Sequence, residues 1–281
     1  MKMKKIKSFK LLKILAYIIL FVGIITILFP FYLTIITAFK TPQESSVSFF
    51  AFPNSLYWDN FINVFKKAHY FMFFGNSIII TVISVCVILI IVPLCSYAIA
   101  RNMKKKYYKI IYTYIIIGIF IPFQVIMIPL VKYLSDLHLS NMMGLILMHI
   151  TLASSVGVFL LVNYIRTIPR DMEEAAVMDG CTTLQAYFKI VVPLLKPMLA
   201  TIFVMNALWV WNDFQMPLLI LNQSPDMWTL PLFQFNFKSQ YTYDYNMAFS
   251  SYLIAMVPVM IVYATSQKYI VSGLTQGAVK S

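Results

Sequence analysis

Charged residues are scarce in this chain of 281 residues: they make up 11% of it, and only 10 residues are acidic. An ordinary soluble domain has about 25% charged residues, so the composition excludes a water-soluble enzyme. Hydrophobic residues account for 60% of the chain, which predicts an all-α membrane protein with one domain over residues 1–281. The formal net charge of +12 comes from basic residues beside apolar runs, so nucleic acid is not an expected partner.

Cysteine and histidine are equally sparse, with three residues of each. Cys86 and Cys95 lie about 13 Å apart along one apolar run if it is helical, and Cys181 is far from both in the sequence. This spacing excludes a disulfide framework. Because no CxxC pair or Cys/His ligand set occurs, we expect no metal site and a packing role for these residues.

The sequence also lacks the parts that power transport. None of the 8 glycines is followed by lysine, so a phosphate-binding GxxxxGK loop is absent. Asp213 is the one acidic residue well inside an apolar run, which is too little for the proton or sodium relay of an ion-driven carrier. If the chain transports a solute, another chain must supply the energy, and we expect no catalytic residues here.

Long apolar runs dominate what is present. A helix that crosses a hydrocarbon core of about 30 Å needs about 20 mainly apolar residues. Six runs meet this condition, with approximate limits 11–39, 77–100, 110–131, 144–165, 198–221 and 247–269. Cytoplasmic loops are enriched in Lys and Arg, and most of the 22 basic residues lie in the two termini and in the second-to-third and fourth-to-fifth connections. We therefore expect a multi-pass protein of the cell membrane with cytoplasmic N- and C-termini.

The fourth-to-fifth connection has the pattern of two short helices. Pro169 suits a first helical turn. The acidic residues Asp171, Glu173 and Glu174 place negative charge at the positive end of the helix dipole. Gly180 then supplies a stop signal for this first helix.

The second helix of this connection has its own start and end signals. Thr182 and Gln185 have the T-x-x-Q spacing of a capping box, and we expect the helix to end before Pro193. Ala175 and Ala176, in the first helix, are small enough for another surface to approach closely. These features together indicate a docking element; a solvated acidic loop is the alternative and would not need the combination.

The residues of this connection carry a family resemblance. The segment Glu174-Ala-Ala-x-x-Asp-Gly180, followed by Phe188, Ile190 and Pro193, resembles the EAA loop of binding-protein-dependent ABC importer permeases. Other segments narrow the resemblance to the MalG-like branch, the second permease subunit of sugar importers. They are Thr37-Ala-Phe-Lys40, Ser96-Tyr-Ala-Ile-Ala-Arg101, Ile121-Pro-x-Gln124, Trp211-Asn-Asp-Phe214 and Gly273-Leu-Thr-Gln-Gly-Ala-Val-Lys280.

The resemblance implies the type I ABC importer permease fold, with six transmembrane helices and a cytoplasmic coupling loop at about 166–197. It implies partners as well: a second homologous permease, a cytoplasmic ATPase dimer that binds ATP and Mg, and an extracytoplasmic sugar-binding protein. This chain would itself bind no cofactor. The implied ATPase-coupling residues are Glu173, Glu174, Ala175, Ala176, Asp179, Gly180, Phe188, Ile190 and Pro193.

The C-terminal tail is a second implied contact with the ATPase dimer, through Gly273, Thr275, Gly277 and Lys280. Its small residues suit a narrow groove. The two glycines can adopt backbone angles that are closed to other residues. This freedom would let the chain turn away from the last span.

Polar residues on the fifth span are candidates for a substrate path. Asn206, Trp209 and Asp213 fall at i, i+3 and i+7 and share a helical face, with Asn212 adjacent. Polar groups at membrane depth normally face the bundle interior or a water-filled path. This face is expected to border a sugar path, where indole and amide groups suit a hydroxylated ring. Interhelical hydrogen bonding that only stabilises the bundle is an equally open alternative.

The leading interpretation is a permease subunit of an ATP-driven importer of sugars, oligosaccharides in particular. A permease for another small polar solute is the alternative within the same superfamily. An ion-coupled secondary carrier is disfavoured by the shortage of intramembrane charge. A membrane enzyme is disfavoured because no clustered His/Asp/Glu or Cys/His set lies at membrane depth.

Overall fold

The computed structural model describes the backbone of residues 2–67, 69–240 and 244–278, and side chains within 12–66, 69–235 and 244–267. In these ranges the chain is helical, with short connections. The α-helices are α1 (Lys2–Ala38), α2 (Pro42–Val47), α3 (Asp59–Lys67), α4 (Tyr70–Asn102), α5 (Lys106–Ile117), α6 (Phe123–Asp136), α7 (Met142–Ile165), α8 (Asp171–Met178), α9 (Thr183–Ala186), α10 (Val192–Asn212), α11 (Gln215–Leu221), α12 (Leu230–Gln240) and α13 (Tyr245–Ala278). Two 3-10 turns (Gly118–Phe120 and Pro225–Met227) and a π turn (Tyr187–Val191) accompany them.

Five helical segments of the described chain are long and apolar enough to cross a membrane, and α5 with α6 would form a sixth span as a bent pair. The five segments are Leu12–Ala38, Tyr70–Asn102, Met142–Ile165, Thr183–Asn212 and Tyr245–Gln267. Each overlaps one of the predicted runs. The all-α membrane class expected from composition is therefore confirmed.

The third predicted run, 110–131, is not one continuous helix. The 3-10 turn after α5 ends at Phe120, α6 begins at Phe123, and the two helices are bent by 105°. Pro122 fixes its own φ and disfavours helical angles in the residue before it. Ile121 is accordingly extended, with φ −93° and ψ 109°.

The fifth predicted run, 198–221, is also divided. Helix α10 ends at Asn212, and Asp213 is extended (φ −68°, ψ 125°). The Asp213 carboxylate accepts hydrogen bonds from the backbone N–H groups of Gln215 (3.1 Å) and Met216 (3.4 Å). These contacts satisfy donors left open at the start of α11, and they explain why the predicted helix does not continue unbroken.

The chain forms two compact units: residues 1–70 with 234–256, and residues 71–233 with 257–281. In the second unit, α7 and α10 share one hydrophobic core with α4. Gly157 of α7 permits a close approach, because a Cβ at this position would lie 2.8 Å from Cγ1 of Val92 in α4.

In the first unit, side-chain amides cap the end of α1. Asn60 donates hydrogen bonds to the backbone carbonyls of Ala38 (2.9 Å) and Lys40 (2.8 Å). Asn246 donates to those of Thr37 (2.8 Å) and Lys40 (2.9 Å). The last carbonyls of a helix have no intrahelical partner, so the two amides supply what α1 lacks and join it to α3 and α13.

Lys40 is buried at this junction, although it is charged. Its ammonium donates hydrogen bonds to the carbonyls of Ser48 (2.9 Å) and Phe49 (3.1 Å). Burial lowers the pKa of Lys40, and the nearby charge of Glu44 opposes that shift. Lys40 is the last residue of the segment Thr37-Ala-Phe-Lys40, and backbone carbonyls bind its ammonium group inside the unit.

Candidate functional site

The backbone of the fourth-to-fifth connection largely follows its sequence signals. Helix α8 ends at Met178, and Gly180 has a φ of +88°, in the left-handed region that favours glycine. The Thr182 side chain accepts a hydrogen bond from the Gln185 backbone, and the Gln185 side chain accepts one from the Thr182 backbone. The predicted stop and the predicted capping box are both confirmed.

The predicted end of the second helix before Pro193 is wrong. Helix α9 continues through the π turn into α10. In this turn the N–H of Val192 donates to the carbonyl of Tyr187, five residues back. Proline lacks an N–H donor, and a wider turn is one way for a helix to pass such a residue. The second helix of the connection and the fifth span are therefore one continuous segment.

Large apolar side chains cover the outer side of the connection. Met178, Leu184 and Phe188 are 87%, 61% and 55% exposed, and we call these three residues the docking face. Exposed apolar side chains that lie together on a surface are common at protein or membrane interaction sites. The docking face is therefore available to a partner.

Two of the predicted coupling residues are directed toward the chain itself. Ala176 is buried. Glu173 accepts a hydrogen bond from Tyr97 Oη at 2.7 Å and forms an ion pair with Arg101, which also donates to the carbonyl of Ile168 at 3.2 Å. Residues three apart share a helical face, so positions 173 and 176 form the inner side of α8. Glu173 attaches α8 to the end of α4.

The other predicted coupling residues lie at or near the surface. Glu174, Ala175, Asp179, Gly180 and Pro193 are exposed, and Ile190 is half-buried. An exposed alanine at position 175 leaves room beside the docking face. The sequence thus located the loop, but the structure divides its residues between an outer and an inner side.

Gly180→Ala is expected to destabilise this connection. No atom lies within 4 Å of a Cβ placed there, so the cost is backbone strain, about 1–2 kcal/mol for a side chain with left-handed angles. Gly180→Asn should be milder, because asparagine tolerates these angles better. Thermal unfolding of the purified protein checks the order glycine, asparagine, alanine, and equal midpoints for all three would contradict it.

Asn206 and Trp209 line a cavity of about 210 Å³ between α7 and α10, together with Leu152 and Val156. Asn206 Nδ2 donates to the carbonyl of Ile202 in its own helix at 2.8 Å. Its Oδ1 accepts no hydrogen bond from the described residues. The structure therefore brings these two predicted residues to one cavity wall.

Asp213 is already bound by groups of its own chain. Its Oδ2 lies 3.0 Å from Nε2 of His149, whose side chain is 1% exposed. The His149 ring also meets Trp209 edge to face, with ring centroids 5.3 Å apart. Sequence reasoning gave His149 only a packing role, because no local spacing links residues 64 positions apart. His149 therefore contacts both Asp213 and Trp209.

Asn212 lies apart from this cluster. Its side chain is exposed, and Nδ2 donates to the carbonyl of Leu208 at 2.8 Å. It lines neither this cavity nor the one described next. The predicted polar face therefore reduces to Asn206, Trp209 and Asp213.

A second cavity, of about 300 Å³, lies where the third and fifth segments are interrupted. We call it the break cavity. Among the residues that line it are Ile121, Gln124, Ser155, Trp209, Asp213 and Gln215. Leu152, Val156 and Trp209 line both cavities, so the two spaces adjoin.

The predicted tail contact falls at the edge of the described chain. Helix α13 continues through Gly273, Thr275 and Gly277 to Ala278, so the backbone is helical at both glycines. Side chains at these positions, and Lys280 altogether, lie outside the described residues.

These features define a multi-pass membrane protein with exposed apolar side chains on one connection, and comparisons with known proteins identify its family. Residues 91–276 match the family of the binding-protein-dependent transport system inner membrane component. The multiple sugar-binding transport system permease protein MsmG of Streptococcus mutans is 46% identical over 266 residues, which cover 94% of this chain and 96% of the relative. The probable starch degradation products transport system permease protein AmyC of Thermoanaerobacterium thermosulfurigenes is 37% identical over 267 residues, 94% and 97% of the two chains.

A solved structure shares the fold. It is the crystal structure of a bacterial ABC transporter involved in the import of the acidic polysaccharide alginate, with a TM-score of 0.78, 23% identity, and coverage of 93% of this chain and 97% of that one. The chain belongs to the family of binding-protein-dependent transport system inner membrane components. It is therefore a membrane permease subunit with the ABC importer permease fold.

Proposed function

We propose that this chain is the transmembrane permease subunit of an ATP-driven sugar importer whose substrates include oligosaccharides. The sugar class is supported by MsmG and AmyC, which are similar to this chain over 94% of its length. The observation that carries the subunit role is the docking face. An isolated carrier would have no use for Met178, Leu184 and Phe188 on an exposed loop.

The docking face links the chain to ATP hydrolysis in this proposal. A cytoplasmic ATPase dimer, with ATP and Mg, receives the three apolar side chains, and exposed Ala175 allows its surface to come close. Glu174 and Asp179 lie beside the contact. The chain itself binds no nucleotide or metal and catalyses no reaction, and both termini share the cytoplasmic side with the loop.

The remaining partners complete the transport path. A second homologous permease closes the path from the other side, and an extracytoplasmic sugar-binding protein delivers the ligand. Helix α1 carries large exposed apolar side chains along its length, which lipid or the second permease would cover. Asn206 and Trp209 border the path, and Asp213 holds the end of α10 in place.

Reconstitution of the four-component assembly in liposomes tests the proposed function. Maltotriose and raffinose serve as uncharged probes, and we expect ATP-dependent uptake that survives ionophores. Uptake without ATP that ionophores abolish would indicate an ion-coupled carrier instead. ATP hydrolysis without import of either probe would favour the alternative of another small polar solute.

Deletion of residues 274–281 is expected to reduce ATPase stimulation without preventing membrane insertion. The proposed reason is a contact between the tail and the ATPase dimer, while the spans and the docking face remain. The measurement compares ATP hydrolysis and subunit affinity of purified assemblies with and without the tail. Unchanged values for both would show that the tail is dispensable.

A further inference from the structure

Two interrupted spans meet at the break cavity. Ile121 marks the interruption of the third segment and Asp213 that of the fifth, and both line the cavity. Irregular backbone at membrane depth is tolerated where it is buried in protein or lines a water-filled cavity. Interrupted helices commonly form substrate sites in transporters. Two interruptions at one cavity therefore indicate binding.

Three polar side chains at this cavity have hydrogen-bonding groups that the described residues leave unused or nearly so. The Gln124 amide and the Ser155 hydroxyl make no hydrogen bond to the described residues, and the Gln215 amide has only a weak contact, 3.8 Å from Nε2 to the Met127 sulfur. Gly118 keeps the space beside Ser155 open, because a Cβ there would lie 2.7 Å from the hydroxyl oxygen. Gln124 is exposed, and Ser155 and Gln215 are half-buried. Their polar atoms can therefore reach a ligand in the cavity, and the hydroxyl groups of such a ligand would match them.

The Asp213 carboxylate at the cavity already has hydrogen-bond partners on both oxygens. One oxygen of Asp213 is bound to His149, and the other accepts two backbone N–H groups. The groups that remain for a ligand are two amides, one hydroxyl and the indole of Trp209. An aromatic face beside neutral hydrogen-bonding groups suits an uncharged ring with hydroxyls, whereas a carboxylate would find no lysine or arginine among the residues that line the cavity.

We propose that the break cavity binds one uncharged hexose unit of the transported saccharide. The ring stacks on Trp209, and its hydroxyl groups bond to Gln124, Ser155 and Gln215. The adjoining cavity, which shares Trp209 and adds Asn206, takes the next unit. This proposal rests on the proposed function. It specifies the part of the transport path that this subunit contributes.

The first test uses the complete transporter in liposomes, with its binding protein and maltotriose as the probe. The double variant Gln124→Leu/Gln215→Leu removes both amides while nearly keeping side-chain size. Maltotriose import per ATP hydrolysed should fall about tenfold or more, as expected for the loss of two hydrogen bonds. Asn163→Leu is the matched control, because this exposed amide of α7 bonds only to its own helix, at the carbonyl of Phe159 (2.8 Å).

A second measurement places a reporter cysteine in the wall of the cavity. Gln124→Cys, in a chain with the three native cysteines replaced by serine, should react with a small water-soluble thiol reagent. Maltotriose should slow this reaction, and a charged oligouronide of the same length should not. Val125→Cys is the control, since this neighbour is 69% exposed and lies outside the cavity.

The outcomes separate the two proposals. Wild-type import of maltotriose, combined with unchanged import by the double variant and no protection at Gln124→Cys, overturns the subsite and leaves the proposed function intact. A wild-type assembly that imports neither maltotriose nor raffinose overturns both. Equal protection by the oligouronide overturns the preference for an uncharged ring.

Discussion

Gly144→Ala is expected to remove most of the folded protein from the membrane. A Cβ at this position would lie 1.8 Å from the backbone carbonyl oxygen of Leu139 and 2.9 Å from its carbonyl carbon. Leu139 is fixed in turn, because its N–H donates to the carbonyl of Leu134 at 2.8 Å. No side-chain rotation can relieve a contact with backbone, so we expect a loss of about 3 kcal/mol or more, at the upper end of overpacking effects.

The measurement is the yield and thermal midpoint of the purified protein. Gly75→Ala is the matched control, since nothing lies within 4 Å of a Cβ at this other helical glycine. It should have the wild-type midpoint or a slightly higher one, because alanine favours helix over glycine. Wild-type yield and midpoint for Gly144→Ala would show that the turn before α7 yields more easily than its contacts indicate.

Arg101→Ala is expected to release α8 from α4 and to abolish ATPase coupling. The Arg101 and Glu173 side chains are each 12% exposed, so removal of the arginine leaves a largely buried carboxylate with only Tyr97 as partner. Breaking a buried ion pair in this way costs about 3–5 kcal/mol. Thermal unfolding, protease sensitivity of the connection and stimulated ATP hydrolysis would all report the change.

A rescue experiment distinguishes the ion pair from general damage. The double variant Arg101→Leu/Glu173→Leu removes both charges, and we expect it to recover part of the lost stability, because apolar replacement of a buried pair is often tolerated. Lys104→Ala removes an exposed cation near the same end of α4 and should behave as wild type. A double variant no more stable than Arg101→Ala would exclude the unpaired carboxylate as the cause.

The structural features that the sequence predicted correctly depend on residues that are close together in the chain. The apolar runs located the spans, and Gly180 and the Thr182–Gln185 pair gave the stop and the capping box. Each of these signals acts over a few residues, so it can be interpreted without tertiary contacts. The resemblance of the 166–197 connection likewise identified the class of protein.

Features that depend on distant contacts were not predicted. Glu173 faces inward because it pairs with Arg101, 72 residues away in the sequence. His149 likewise contacts Asp213, 64 residues away. No spacing rule connects such pairs. The break at Pro122 had a local signal, but a proline in an apolar run is equally compatible with a kink. The size of the bend between α5 and α6 depends on tertiary contacts, such as those of α5 with α7, which the sequence pattern does not contain.

The amide of Asn246 has a consequence for the order of synthesis. It donates a hydrogen bond to the carbonyl of Thr37, 209 residues earlier in the sequence. The first helix is therefore synthesised long before Asn246 is translated. During that interval the end of α1 depends on Asn60 and water. A nascent chain that stops short of α13 therefore lacks one of the side chains that complete the end of its first helix.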